Sequence, residues 1–129
     1  MLKLTYTEAD VRLECLPVAL EDFVSQRTVL AVRLGQSAIV QPGWASFLLP
    51  AGLFALDRLE TAARKEAPEA IELCVADDEF VEVSVRGSWL AIDADTCDGV
   101  FAATLSPHCE MLISQLWERS RALARCARE

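Results

Sequence analysis

One position in this chain of 129 residues has the setting of a nucleophilic thiol. Cys109 falls at the third position of a helix opened by Ser106 and Pro107, where the positive end of the dipole favours a thiolate. His108, the only histidine, is its neighbour. Adjacent helical residues project about 100° apart, so the two are badly placed to act as nucleophile and base. Cys109 also lies on the apolar stripe of that helix, where a small thiol packs as a hydrophobe. The five cysteines (Cys15, Cys74, Cys97, Cys109, Cys126) are odd in number and include no CxxC pair, which suits neither a disulfide framework nor a zinc set. Cys109 and Cys126 stand about 25 Å apart along one helix, too far to share a metal.

Asp93-Ala94-Asp95-Thr96-Cys97-Asp98-Gly99 has the alternating acids of a calcium loop. Cys97 stands where the third ligand belongs, the glycine comes one residue late, and Thr104 replaces the bidentate glutamate, so a solvated strand connection is the simpler reading. Asp77, Asp78 and Glu79 read as a hydrated turn rather than as paired acid and base. The five glycines are scattered, and none opens a phosphate loop. The expectation is a protein that is not an enzyme, with no cofactor and no metal.

Binding is the alternative to chemistry. Trp89 follows a tight turn at Gly87 and Trp117 edges a helix stripe, both positions from which tryptophan anchors partners. Arg121, Arg125 and Arg128 form an outer row on the last helix, able to grip acidic groups. These five residues are the expected partner site. The net charge of −8 disfavours nucleic acid and anionic membrane surfaces. Its distribution is uneven: seven acids and no base lie between Glu66 and Glu82, while four arginines fall in the last eleven residues. Such asymmetry suits association of two copies. The opening residues lack an apolar leader segment, and a cytoplasmic protein is expected.

Alternation predicts strands at 2–6 and 11–15, joined as a hairpin. A helix follows over 18–27, then strands at 28–34 and 37–40, with a helix running straight through to 34 as the rival. Pro42-Gly43 breaks the pattern before a strand at 45–49. Helix is predicted over 53–66, strands over 71–76, 80–86, 88–93 and 100–105 with a turn at Gly87, and helix over 106–125. Residues 28–66 and 80–125 then run the same βββα order, read either as an internal duplication or as recurrence of a common unit. The fold expected is a single α+β domain over 1–129, an antiparallel sheet with helices mainly on one face.

The opening Met1-Leu2-Lys3-Leu4-Thr5-Tyr6-Thr7-Glu8, together with Arg33-Leu34-Gly35-Gln36-Ser37, Ala45-Ser46-Phe47-Leu48-Leu49-Pro50 and Val81-Glu82-Val83-Ser84-Val85-Arg86-Gly87, resembles a small family of uncharacterised cyanobacterial proteins. The resemblance spans most of the chain and implies a bacterial cytosolic protein, with no activity to carry over. The residues favour a non-enzymatic interaction or assembly module, homodimeric. The alternative is a small-molecule binder with a pocket between sheet and helices, lined by Trp89, Trp117 and Phe101.

Overall fold

The computed structural model describes residues 1–7, 10–35, 38–67, 69–92 and 99–128, and at 38, 91, 92 and 124–128 the backbone alone. The elements are β1 (Leu2–Tyr6), β2 (Val11–Cys15), α1 (Leu20–Arg33), β3 (Ala38–Pro50), α2 (Leu56–Arg64), β4 (Ile71–Val75), β5 (Phe80–Ile92), β6 (Gly99–Ala103) and α3 (Pro107–Arg128). The strands form one antiparallel sheet in the order β2-β1-β6-β5-β3, with β4 also paired to β5. The class is α+β, as the element pattern predicts. The chain divides into two compact units, Met1–Trp44 with Arg86–Thr104, and Ala45–Val85 with Leu105–Glu129.

In the first unit β1 lies between β2 and β6. Leu2 and Leu4 stand opposite Cys15 and Leu13 on one side and Ala103 and Phe101 on the other. Leu2, Leu4, Phe101 and Ala103 have no exposed surface, which explains the strict alternation with Lys3 and Thr5. The hairpin is closed by Thr7, whose N–H donates to the Asp10 carbonyl at 2.9 Å and whose Oγ1 accepts from the Asp10 N–H at 3.1 Å. The other face carries Met1, Leu90, Val100 and Ala102, packed against Phe23 of α1.

Helix α1 runs to Arg33, so the strand expected at 28–34 is helix, as the rival reading had it. Ala31 continues the face of Phe23, Val24 and Arg27 and is fully buried, and this burial overrides the β-branched character of the segment. The Thr28 hydroxyl donates to the Val24 carbonyl at 2.9 Å and so stays within the helix. Gly35, at φ 70°, ends it and donates to the Val32 carbonyl. The βββα order that suggested duplication thus fails at its first element.

Strand β3 is continuous where two strands and a Pro42-Gly43 break were expected. Ala51 donates its N–H to the Glu79 carbonyl at 2.8 Å, and Ser46 meets Ser84 at 2.9 Å, which sets 51 opposite 79 and 46 opposite 84. Odd-numbered residues therefore bond to β5, while even-numbered backbone groups face outward. Pro50 is even, so its missing N–H group costs the ladder nothing. Gly43 is required for another reason: a Cβ there would sit 3.1 Å from Cδ1 of the Trp89 indole.

Strand β5 likewise runs through Gly87, where a turn between two strands was expected. A Cβ at Gly87 would press on the Ala102 carbonyl oxygen and come within 2.8 Å of the Ala103 Cβ and the Phe101 ring. The glycine permits close strand approach, and the chain does not reverse there. β4 pairs with the first half of β5 and β6 with its second half, so the four-strand meander expected over 71–105 is replaced by one long strand that pairs with both, β6 ending at Ala103. Residues 93–98 of the acidic loop lie outside the described residues.

In the second unit α2 spans a shorter stretch than the expected 53–66, entered through Ala55 at φ 72° and burying Leu56, Leu59 and Ala62. Helix α3 begins as its cap predicts, with Ser106 Oγ accepting the Cys109 N–H at 3.3 Å, but extends to Arg128. Glu110 reaches back, its Oε2 accepting the Leu105 N–H at 2.9 Å, and Glu66 Oε1 accepts the Ser106 N–H at 3.0 Å. The amides of Leu105, Ser106 and Cys109 are thereby satisfied, and the bond from Leu105 accounts for a carboxylate at Glu110 that is only 5% exposed. Edge-on contact of Phe47 with Trp117, 5.7 Å between centroids, packs α3 onto β3 within this unit.

Candidate interaction surface

Cys109 is placed for packing and not for attack. Its side chain is fully buried, and burial first, then the charges of Glu66 and Glu110, push the thiol from 9.0 up to about 12. The expected result of alkylation with iodoacetamide and mass mapping is modification of exposed Cys15 and protection of Cys109 by about 100-fold or more until the chain unfolds. Comparable labelling rates would contradict the packing role. The pH dependence has a definite sign. Between pH 9 and 12 the unfolded thiol loses its proton while the folded one keeps it, so stability falls as pH rises through that window.

The five residues expected to bind a partner divide between the units. Trp89 belongs to the first, half-buried between Tyr6 and Phe101 with ring centroids 5.4 and 5.1 Å away. Gly43 and Gly99 flank the indole, whose Nε1–H donates to the Trp44 carbonyl at 3.2 Å. Burial raises the Tyr6 hydroxyl above its ordinary pKa of 10.0. Trp117 and Arg121 belong to the second unit and are in contact, the guanidinium 5.3 Å from the ring centre. Arg125 and Arg128 fall in α3, with side chains outside the described residues. Arg119, not singled out from the sequence, donates to the Phe54 carbonyl at 3.0 Å and lies 5.4 Å from the Phe54 ring.

What sequence reasoning missed is a shelf of exposed apolar side chains in the first unit. Val29, Leu30 and Val32 cover the outer side of the last turns of α1, and Leu34 follows the helix. On β3, the last strand in the sheet order, Val40 and Trp44 are exposed on one face and Ile39 on the other. Val32 is 66% and Leu34 63% exposed. Exposed Arg33 is the one charge on that side of the helix end, and exposed apolar surface of this kind is normally covered by something. One signal was available: no Asp, Glu, Lys or Arg occurs between Arg33 and Asp57 in a chain of net charge −8.

The second unit carries a groove of about 540 Å³ between α2 and β4. Neither tryptophan nor Phe101 lines it; Phe101 has no exposed surface. No group of three or more potential metal ligands occurs among the described residues. Among those residues no helix is long and apolar enough to cross a membrane.

Fold and surface together define an antiparallel α+β protein with an exposed apolar shelf. The chain belongs to the Alr0857-like family, whose model matches residues 1–121. That family takes its name from a cyanobacterial locus, in line with the resemblance found in the sequence. No curated protein and no solved structure matches the chain.

Proposed function

We propose that this protein is a non-enzymatic interaction or assembly module that works as a homodimer in the cytoplasm, without nucleic-acid or membrane partners. The observation that carries this reading is the acid-free apolar shelf of Val29, Leu30, Val32 and Leu34 at the end of α1, where Arg33 is the one charge. Two copies of a chain with net charge −8 repel each other, so a mutual interface is best built where acids are missing, and none occurs between Asp22 and Asp57. A two-fold interface also has to be self-complementary, and an apolar patch satisfies that condition without matched polar partners.

Val32→Glu tests it. The side chain is exposed, so the substitution should alter folding stability by about 0.5 kcal/mol or less. Two carboxylates forced into an apolar interface should weaken self-association by about 100-fold or more. Analytical ultracentrifugation is expected to show a dimer for the wild-type chain and a monomer for V32E, both with unchanged circular dichroism. A V32E dimer as tight as wild type would remove the shelf from the interface.

A second reading, a small-molecule binder, has the α2–β4 groove behind it, because its volume of about 540 Å³ falls in the range of roughly 300–1,000 Å³ typical of ligand sites. A reproducible small adduct in native mass spectra of the purified protein would favour it.

A further inference from the structure

Independently of self-association, we propose that the second unit binds an extended cationic peptide, added as a further strand to the free edge of β4 in the groove beside α2. Strand β4 pairs with β5 from Ile71 opposite Val85 to Val75 opposite Val81. Ala76 donates its N–H to the Phe80 carbonyl at 3.1 Å, which makes 76 and 80 a hydrogen-bonded pair in this register. The even-numbered residues of β4 therefore exchange hydrogen bonds with β5. The N–H and C=O groups of Ile71, Leu73 and Val75 point to the other edge, and among the described strands β4 pairs only with β5.

That edge opens into the groove. All five residues of β4 line it, so it follows the strand along its length and does not close around one point. Glu60, Ala63 and Arg64 of α2 form the opposite wall, and the small alanine leaves width for a chain. An open slot with a strand edge on one side and a helix on the other is the arrangement in which peptides bind by strand addition, backbone hydrogen bonds giving affinity and alternate side chains giving specificity. A compact ligand would leave most of these edge groups unanswered.

Charge decides the kind of peptide. Glu60, Glu66 and Glu72 face the groove against the single cation Arg64. Along β4, Ile71, Leu73 and Val75 project to one face and Glu72 and Cys74 to the other, with Val75 80% exposed. A strand of alternating apolar and basic residues matches both faces: its apolar side chains lie beside Leu73 and Val75, and its basic ones answer the glutamates. A second copy of this acidic chain is disfavoured here for the same reason.

The probes are a fluorescein-labelled hexapeptide of alternating lysine and valine, its glutamate and valine counterpart, and a lysine and valine peptide methylated on alternate backbone nitrogens. Val75→Pro removes one outward N–H and leaves the bonds to β5 intact, because Val75 does not contribute to that ladder; Val75→Ala keeps the N–H. Fluorescence anisotropy is expected to show saturable binding of the lysine peptide to wild type and V75A. Binding should be about tenfold weaker or worse for V75P and for the methylated peptide, and undetectable for the glutamate peptide. Equal affinity of V75P, equal binding of the glutamate peptide, or no binding to wild type up to about 1 mM would overturn the proposal. Should V75P fail to fold, the methylated peptide against wild type decides alone. V32E should bind the lysine peptide as wild type does, so loss of dimerisation and loss of peptide binding are read separately.

Discussion

Gly87→Ala is expected to cost about 3 kcal/mol or more of folding stability, at the upper end of overpacking substitutions. The added methyl would meet a backbone atom, the Ala102 carbonyl oxygen, as well as the Ala103 Cβ and the Phe101 ring. A flexible side chain can turn aside, but a carbonyl in the middle of a ladder moves only if the two strands part. β5 and β6 are paired at Ser88 opposite Ala102 and Trp89 opposite Phe101, so the strain falls on the centre of the first unit. Urea unfolding followed by circular dichroism should show a midpoint lower by roughly 1–3 M with the slope unchanged. A midpoint within about 0.3 M of wild type would mean that the strands are further apart than described.

Phe101→Ala is expected to cost about 3–5 kcal/mol, the range for removing a fully buried phenylalanine. Phe101 has no exposed surface, lies opposite Leu4 on one side and Trp89 on the other, and supports the indole at 5.1 Å. Removing it should shift the emission of Trp89 to the red as the indole loses its packing and gains water. The same unfolding experiment checks the energy. A loss below about 1 kcal/mol would show that the site collapses around the deleted ring, or that the ring is not central to the packing.

Elements whose signals are local were legible in the sequence. The β1–β2 hairpin follows from alternation bounded by polar residues, and α3 follows from Ser106, Pro107 and an unbroken stripe through Cys109, Leu112, Ile113 and Leu116. Glycine and proline misled because their roles here are set by distant strands. Pro42 reads as a breaker although β3 runs through it, and Gly87 reads as a turn until Ala102 is found against it. The end of α1 was ambiguous because Thr28, Val29 and Val32 favour strands while the burial of Ala31 favours helix. The shelf was hidden for a related reason. Apolar residues in sequence suggest core, and only the folded chain shows that Val32 and Leu34 remain exposed. Of the residues singled out for binding, Trp117 and Arg121 are in contact, whereas Trp89 is built into the aromatic cluster of the first unit.

Native mass spectrometry of the purified wild-type chain decides whether the protein is a homodimer, since it counts subunits and detects any retained ligand in one spectrum. The expected species has twice the chain mass of 14.2 kDa with no added mass and is converted to monomer by V32E. A wild-type monomer, above all one carrying a reproducible small adduct, would contradict it.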